Sequence, residues 1–138
     1  MDFSLTDDQE LIRAAVAKVC ADYPDEYWAE RDQNHDFPWD FYNAMANAGW
    51  IGTAIPEAYG GSGMGITEAS LVLEEVAASG AAMNGATPLH LSMFGMEPVV
   101  KYGSEEMKQM YLPRVAAGEM HVAFGVTEPD AGTDTTSI

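Results

Sequence analysis

Apolar positions recur at helical spacing over most of this chain. In residues 5–23, Leu11, Ala15 and Val19 form one i, i+4 row, and Ile12, Val16 and Cys20 form its neighbour, which predicts an amphipathic helix. Thr6 is placed to cap it, Gln9 can complete a capping box, and Asp7, Asp8 and Glu10 occupy the first turn, where the helix dipole favours acids. Pro24 ends this helix near Tyr23. Residues 24–36 show no apolar stripe and predict a connector with room for a short helical turn, anchored by Tyr27 and Trp28. Phe37-Pro38 opens a second helix that runs to about Ala48, with Phe41, Met45 and Ala48 on one face and Gly49 as the stop. Trp50–Ile55 predicts a short extended segment closed by Pro56.

A third helix spans residues 66–79, with Ile66, Ala69, Val72 or Leu73, and Val76 inward, and Glu68, Glu74 and Glu75 mostly outward. Residues 84–102 have almost no polar face, so these turns are expected to be buried on most sides, and Pro88 and Pro98 are expected to break them into two short helices. Ser104 caps a further helix that runs to about Ala117, with Tyr111 and Leu112 facing the core and Pro113 bending it. Val122–Val126 then predicts a strand, with Phe124 and Val126 on one face. The fold class is therefore all-α, five to six helices ending in the first strand of a β-domain. A lone strand is not stable by itself, so residues 1–120 are expected to be a helical domain and residues 121–138 the incomplete start of a β-domain.

Charge narrows the partners. The 138 residues carry 22 acids against 6 Lys plus Arg, a net charge of −16. Such a surface repels phosphate backbones and anionic membranes, which argues against nucleic-acid and membrane binding. No apolar run approaches the roughly 18 residues of a membrane span, and the acidic, amphipathic N-terminus does not resemble a signal peptide. The one cysteine, Cys20, excludes an internal disulfide, suits a reducing cytoplasm and sits where a small core residue is expected.

Few residues invite chemistry. Glu57–Gly65 is glycine-rich, but its spacing matches neither the dinucleotide fingerprint nor the nucleotide P-loop, so a tight structural loop is favoured over a phosphate cradle. His35 is expected to be a solvated loop residue. His90 is either a satisfied core histidine or a cavity-lining one, and the core reading is favoured. His121–Ile138 stands apart. A short apolar run passes at once into Thr127-Glu-Pro-Asp-Ala-Gly-Thr-Asp134, a loop of hydroxyls, free N–H groups and a permissive glycine. This suits a flat ligand with polar edges, although a strand followed by a surface turn would look the same.

Gly125-Val-Thr-Glu-Pro-Asp-Ala-Gly-Thr-Asp-Thr-Thr-Ser137 resembles the signature of acyl-CoA dehydrogenases, usually a Thr-Glu-Pro-x-Ala-Gly-Ser-Asp pattern. Phe37-Pro38, Gly49-Trp-Ile-Gly52, Pro56-Glu-Ala-Tyr-Gly-Gly61, Leu73-Glu-Glu75, Tyr102-Gly-Ser-Glu105, Tyr111-Leu-Pro113 and Ala117-Gly-Glu119 resemble further landmarks of that family, in order along the chain. The resemblance implies the N-terminal helical domain of a fold that continues into a β-domain and a four-helix bundle, assembled as a homo-oligomer, a tetramer or dimer. It implies FAD as cofactor, an acyl-CoA thioester as substrate and electron-transferring flavoprotein as electron acceptor. The implied reaction is α,β-dehydrogenation with hydride transfer to flavin N5. Phe124, Val126 and Thr127 stand where the family contacts the flavin, and Thr133 where it usually has Ser, near the FAD pyrophosphate and the acyl-CoA. Thr87, His90, Leu91 and Phe94 are expected to wall the acyl pocket, and a polar His90 there would favour a short or functionalised acyl group. Asp130 replaces the usual Gly. No catalytic residue is assigned: the family's base is most often a Glu on the bundle, and Glu128 and Asp134 are expected to shape the loop. Acyl-CoA oxidases and flavin monooxygenases share the fold. A competing reading of another class is a non-catalytic helical domain that binds a partner, which would carry no flavin.

Overall fold

The structure is a computed structural model that describes residues 4–138. Its body is six α-helices: α1 Asp7–Cys20, α2 Asp25–Asn34, α3 Trp39–Asn47, α4 Ile66–Val76, α5 Ala82–Tyr102 and α6 Glu105–Ala116. Helix α1 begins as the sequence predicts. The Thr6 hydroxyl accepts from the Gln9 N–H, and the Gln9 side chain accepts from the Thr6 N–H. Of the two apolar rows on α1, the one holding Ile12, Val16 and Cys20 is buried, while Leu11 is exposed. This face packs on α4, and Arg13 closes the seam by pairing with Glu75. Cys20 lies in the core as expected, and burial pushes its thiol pKa up.

Four local expectations are corrected. Residues 25–34 form a ten-residue helix rather than a connector. It has no stripe to advertise it because one residue, Trp28, is its buried anchor; the indole N–H donates to the Tyr23 carbonyl at 3.0 Å. His35, exposed as expected, ends this helix in the left-handed conformation at φ 58°. Trp50–Ile55 is a pair of tight turns, not an extended segment: the Ile55 N–H donates to the Gly52 carbonyl at 3.0 Å, and the Thr53 hydroxyl to the Trp50 carbonyl at 2.6 Å. Turns satisfy these groups without a partner strand and bury Ile51 and Ile55 together.

Helix α5 is continuous over 21 residues, with Pro88 and Pro98 inside it. It is also not buried on most sides. Leu89, Ser92, Met93 and Met96 face the core, whereas Met83, His90 and Phe94 are exposed. Each proline forfeits one backbone bond, and the packing of the inner face outweighs that loss. A π-helical turn, Ala77–Ala81, joins α4 to α5, with Gly80 at φ 92° as the expected stop. Helix α6 starts on its Ser104 cap, which accepts from the Met107 N–H at 3.2 Å, and buries Leu112, Val115 and Ala116.

The fourth correction is the strand. Val122–Val126 forms no strand, and an isolated bridge between Glu128 and Ala131 is the only β-pairing among the described residues. A strand needs a neighbour for its backbone groups, and the helical body exposes no edge to supply one.

The glycine-rich loop is structural, as favoured from its spacing. The N–H groups of Gly61, Ser62, Gly63 and Met64 donate to the carbonyls of Pro56, Gly52, Ile55 and Thr53. None is left to cradle a phosphate. A Cβ on Gly61 would collide with the Ile55 carbonyl oxygen and lie 2.6 Å from that of Gly52, so the loop closes only with glycine there.

Candidate functional site

The outer face of α5 and the C-terminal segment meet along one line. Phe94 stands 48% exposed on α5, and Phe124, 55% exposed, packs edge-on against it with ring centroids 5.1 Å apart. One turn earlier, His90 lies parallel to Phe94 at 5.5 Å and 12°. A cleft of 660 Å³ runs along this row, walled by Met64, Ile66, Leu73, His90, Met93 and Phe94 among others. A second, of 470 Å³, adjoins it and is lined by Leu73, Met83, Thr87 and His90. His90, Ser70 and Leu73 border both. The core reading of His90 is therefore overturned: it is exposed at the junction of two apolar clefts. Thr87 is half-buried on the second cleft, and Leu91, also half-buried, lines neither.

The C-terminal segment is fastened to the helices before it becomes free. The His121 ring stacks on Tyr42 at 4.2 Å, with Phe37 at 5.2 Å and Trp39 at 5.0 Å meeting it edge-on. Desolvation in this aromatic nest pushes the His121 pKa down. Val122 lies directly on Gly95 of α5, where a Cβ would collide with it. Beyond Phe124, packing is sparse, and Ala131 is the one buried residue. Val126, Thr127 and Thr133 are exposed, and neither threonine makes a hydrogen bond among the described residues. Glu128–Ala131 is a tight turn with Pro129 at its second position, held by the Glu128 N–H to the Ala131 carbonyl at 2.8 Å. Asp134 accepts from the Thr136 N–H at 3.1 Å and from the hydroxyls of Thr136 and Ser137. These bonds hold its carboxyl below the usual range. Such a group shapes a loop and is a poor proton acceptor.

This geometry presents an aromatic ridge and an apolar cleft beside a run of unused N–H and hydroxyl groups. A family model described as acyl-CoA dehydrogenase, N-terminal domain, matches residues 6–119. The chain belongs to the acyl-CoA dehydrogenase family. It is 33% identical to acyl-CoA dehydrogenase FadE12 of Mycobacterium tuberculosis over 99% of its own length and 34% of that protein's. The solved glutaryl-coenzyme A dehydrogenase glutaryl-CoA complex superimposes with a TM-score of 0.88 at 32% identity, covering 100% of this chain and 35% of that one. An acyl-CoA dehydrogenase complexed with FAD from Bacillus anthracis gives a TM-score of 0.83 at 25% identity, over 98% of this chain and 23% of that one. The chain thus spans about a third of the length of the curated relatives it matches.

The structure brings His90, Phe94 and Phe124 into one row and places Thr87 beside it. It brings neither Thr127 nor Thr133 into contact with that row. Sequence reasoning missed His121 as the fastening point: Phe37, Trp39 and Tyr42 are separated from it by some eighty residues, and only tertiary packing unites them. It also missed Ser70 and Leu73, which periodicity assigned to an ordinary helix. No helix among the described residues is long and apolar enough to cross a membrane, and no His, Cys, Asp or Glu cluster among them could hold a metal.

Proposed function

We propose that this chain is the N-terminal part of an FAD-dependent acyl-CoA dehydrogenase that introduces an α,β double bond into an acyl-CoA thioester. In this reading residues 1–120 are the helical domain and residues 121–138 open the middle β-domain. The observation that carries it is the row His90–Phe94–Phe124, which joins the cleft on α5 to the family's signature loop. The acyl group lies along Thr87, His90 and Phe94, without Leu91, which lines neither cleft, and Phe124 and Val126 lie against the isoalloxazine.

The loop's chemistry suits the cofactor. FAD, when bound, supplies the acceptor, flavin N5, for the hydride leaving the β-carbon. Thr127 offers a hydroxyl and an unused N–H to the ring's pyrimidine edge, where negative charge accumulates on reduction. Thr133 offers a hydroxyl to the pyrophosphate or the thioester; its extra methyl relative to Ser leaves the donor in place. Asp134 is not the base that takes the α-proton, since it is engaged by its own loop. Electron-transferring flavoprotein then accepts the electrons, and the complete enzyme is a homo-oligomer working in the cytoplasm.

Anaerobic addition of acyl-CoA thioesters to the purified flavoprotein tests this reading. Loss of the visible flavin absorbance with an enoyl-CoA as product is expected. An unchanged spectrum with short, medium and branched thioesters would overturn it.

A further inference from the structure

Apart from the charged Glu74, Glu97 and Lys101, the cleft on α5 has three polar side chains near its waist. His90 borders both halves and makes no hydrogen bond or ion pair among the described residues. Ser70, across on α4, donates to the Ile66 carbonyl at 2.8 Å and keeps its lone pairs free. Thr87 lines the second half, also unpartnered. The uncharged remainder of the wall includes methyl, thioether and ring groups from Ala69, Leu73, Met93 and Phe94. In a closed site a hydrocarbon chain would satisfy that wall and strand these polar groups, which is costly for buried donors and acceptors.

The charge of the missing partner is also constrained. Lys101 is the only Lys or Arg lining either half, and Glu97 holds it at 2.8 Å. Glu74 borders the second half. A carboxylate on the substrate would meet two acids and no unpaired Lys or Arg, whereas a neutral hydroxyl can both accept from His90 and donate to Ser70 or back to His90.

We infer that the acyl group taken by this cleft carries a neutral hydroxyl distal to the thioester, bound at the waist by His90 with Ser70 and Thr87. His90 is thereby a specificity-determining residue. This deepens the dehydrogenase reading and rests on it. The recognition follows the general asymmetry of specificity: a site built to hydrogen-bond an oxygen discriminates strongly against the analogue lacking it.

The test compares kcat/KM of the complete flavoenzyme for three CoA thioesters of equal chain length, bearing a distal hydroxyl, methyl or carboxylate. The hydroxyl form is expected to exceed the methyl form by on the order of tenfold or more, and the carboxylate to be worst. His90→Leu is expected to abolish or invert the hydroxyl preference, mainly through KM, and His90→Gln, which keeps a donor and an acceptor, to restore part of it. Thermal unfolding of each variant separates loss of preference from loss of fold, and Ser70→Ala supplies a second probe if His90→Leu does not fold. Equal rates for hydroxyl and methyl thioesters, or a preference unmoved in both His90→Leu and Ser70→Ala, would overturn the inference and leave the dehydrogenase reading standing. Oxidation of none of the three with no flavin reduction would bring down both.

Discussion

The helical body and the C-terminal segment differ in what their residues are for. Through α6, the inward apolar side chains have partners: Val16, Tyr42, Met45, Leu89 and Leu112 are fully or almost fully enclosed. Helix starts are capped at Thr6 and Ser104, and the glycine-rich loop spends its N–H groups on itself. After Phe124 the reverse holds. Hydroxyls and N–H groups face outward, and of the last eighteen residues only Ala131 is buried. The segment with the most recognisable sequence has the least structure of its own. In the proposed function its residue choices answer to a ligand, whereas those of the body answer to packing.

That contrast predicts a graded set of stability effects. Leu89→Ala, at the centre of the α5 inner face, is expected to cost about 2–5 kcal/mol in denaturant unfolding, through lost burial plus the cavity left behind. Ser104→Ala removes the cap of α6 and is expected to cost about 1 kcal/mol in the same measurement. Smaller still is the effect of acid on the His121 nest. Burial depresses the His121 pKa, so the unfolded chain takes up a proton before the folded one does. Stability is then full above the ordinary histidine value and falls as pH drops towards the depressed one. His121→Phe, which keeps the ring and cannot titrate, is expected to flatten that part of the Tm–pH profile; an unchanged slope would place the titration elsewhere. Val126→Ala, outside the core cluster, is expected to change stability by less than about 0.5 kcal/mol.

The same division explains what the sequence disclosed. Helices with a stripe and a cap, such as α1, α4 and α6, were legible because period and cap chemistry agree. Helix α2 was not, because its one anchor, Trp28, leaves no period to detect. In α5 the prolines suggested a break that inner-face packing overrides, and the absence of polar residues suggested full burial. In fact that composition marks two apolar faces, one turned to the core and one to the cleft. His90 was misassigned to the core for the same reason: periodicity tells which side of a helix a residue occupies, not what covers that side. The loop from Thr127 to Asp134 was legible as a motif, yet its strand did not form, since β-pairing depends on a partner the described residues do not provide.

Two substitutions in the complete flavoenzyme, read side by side, test the account most directly. Thr127→Val removes the hydroxyl proposed to meet the flavin from an exposed side chain, and Leu89→Ala opens the core. The account predicts that Thr127→Val weakens FAD retention or shifts the flavin absorbance while leaving the unfolding of the FAD-free protein unchanged, and that Leu89→Ala lowers that unfolding transition. Thr127→Val with native flavin retention and spectrum, or with a lowered FAD-free unfolding transition, would contradict it.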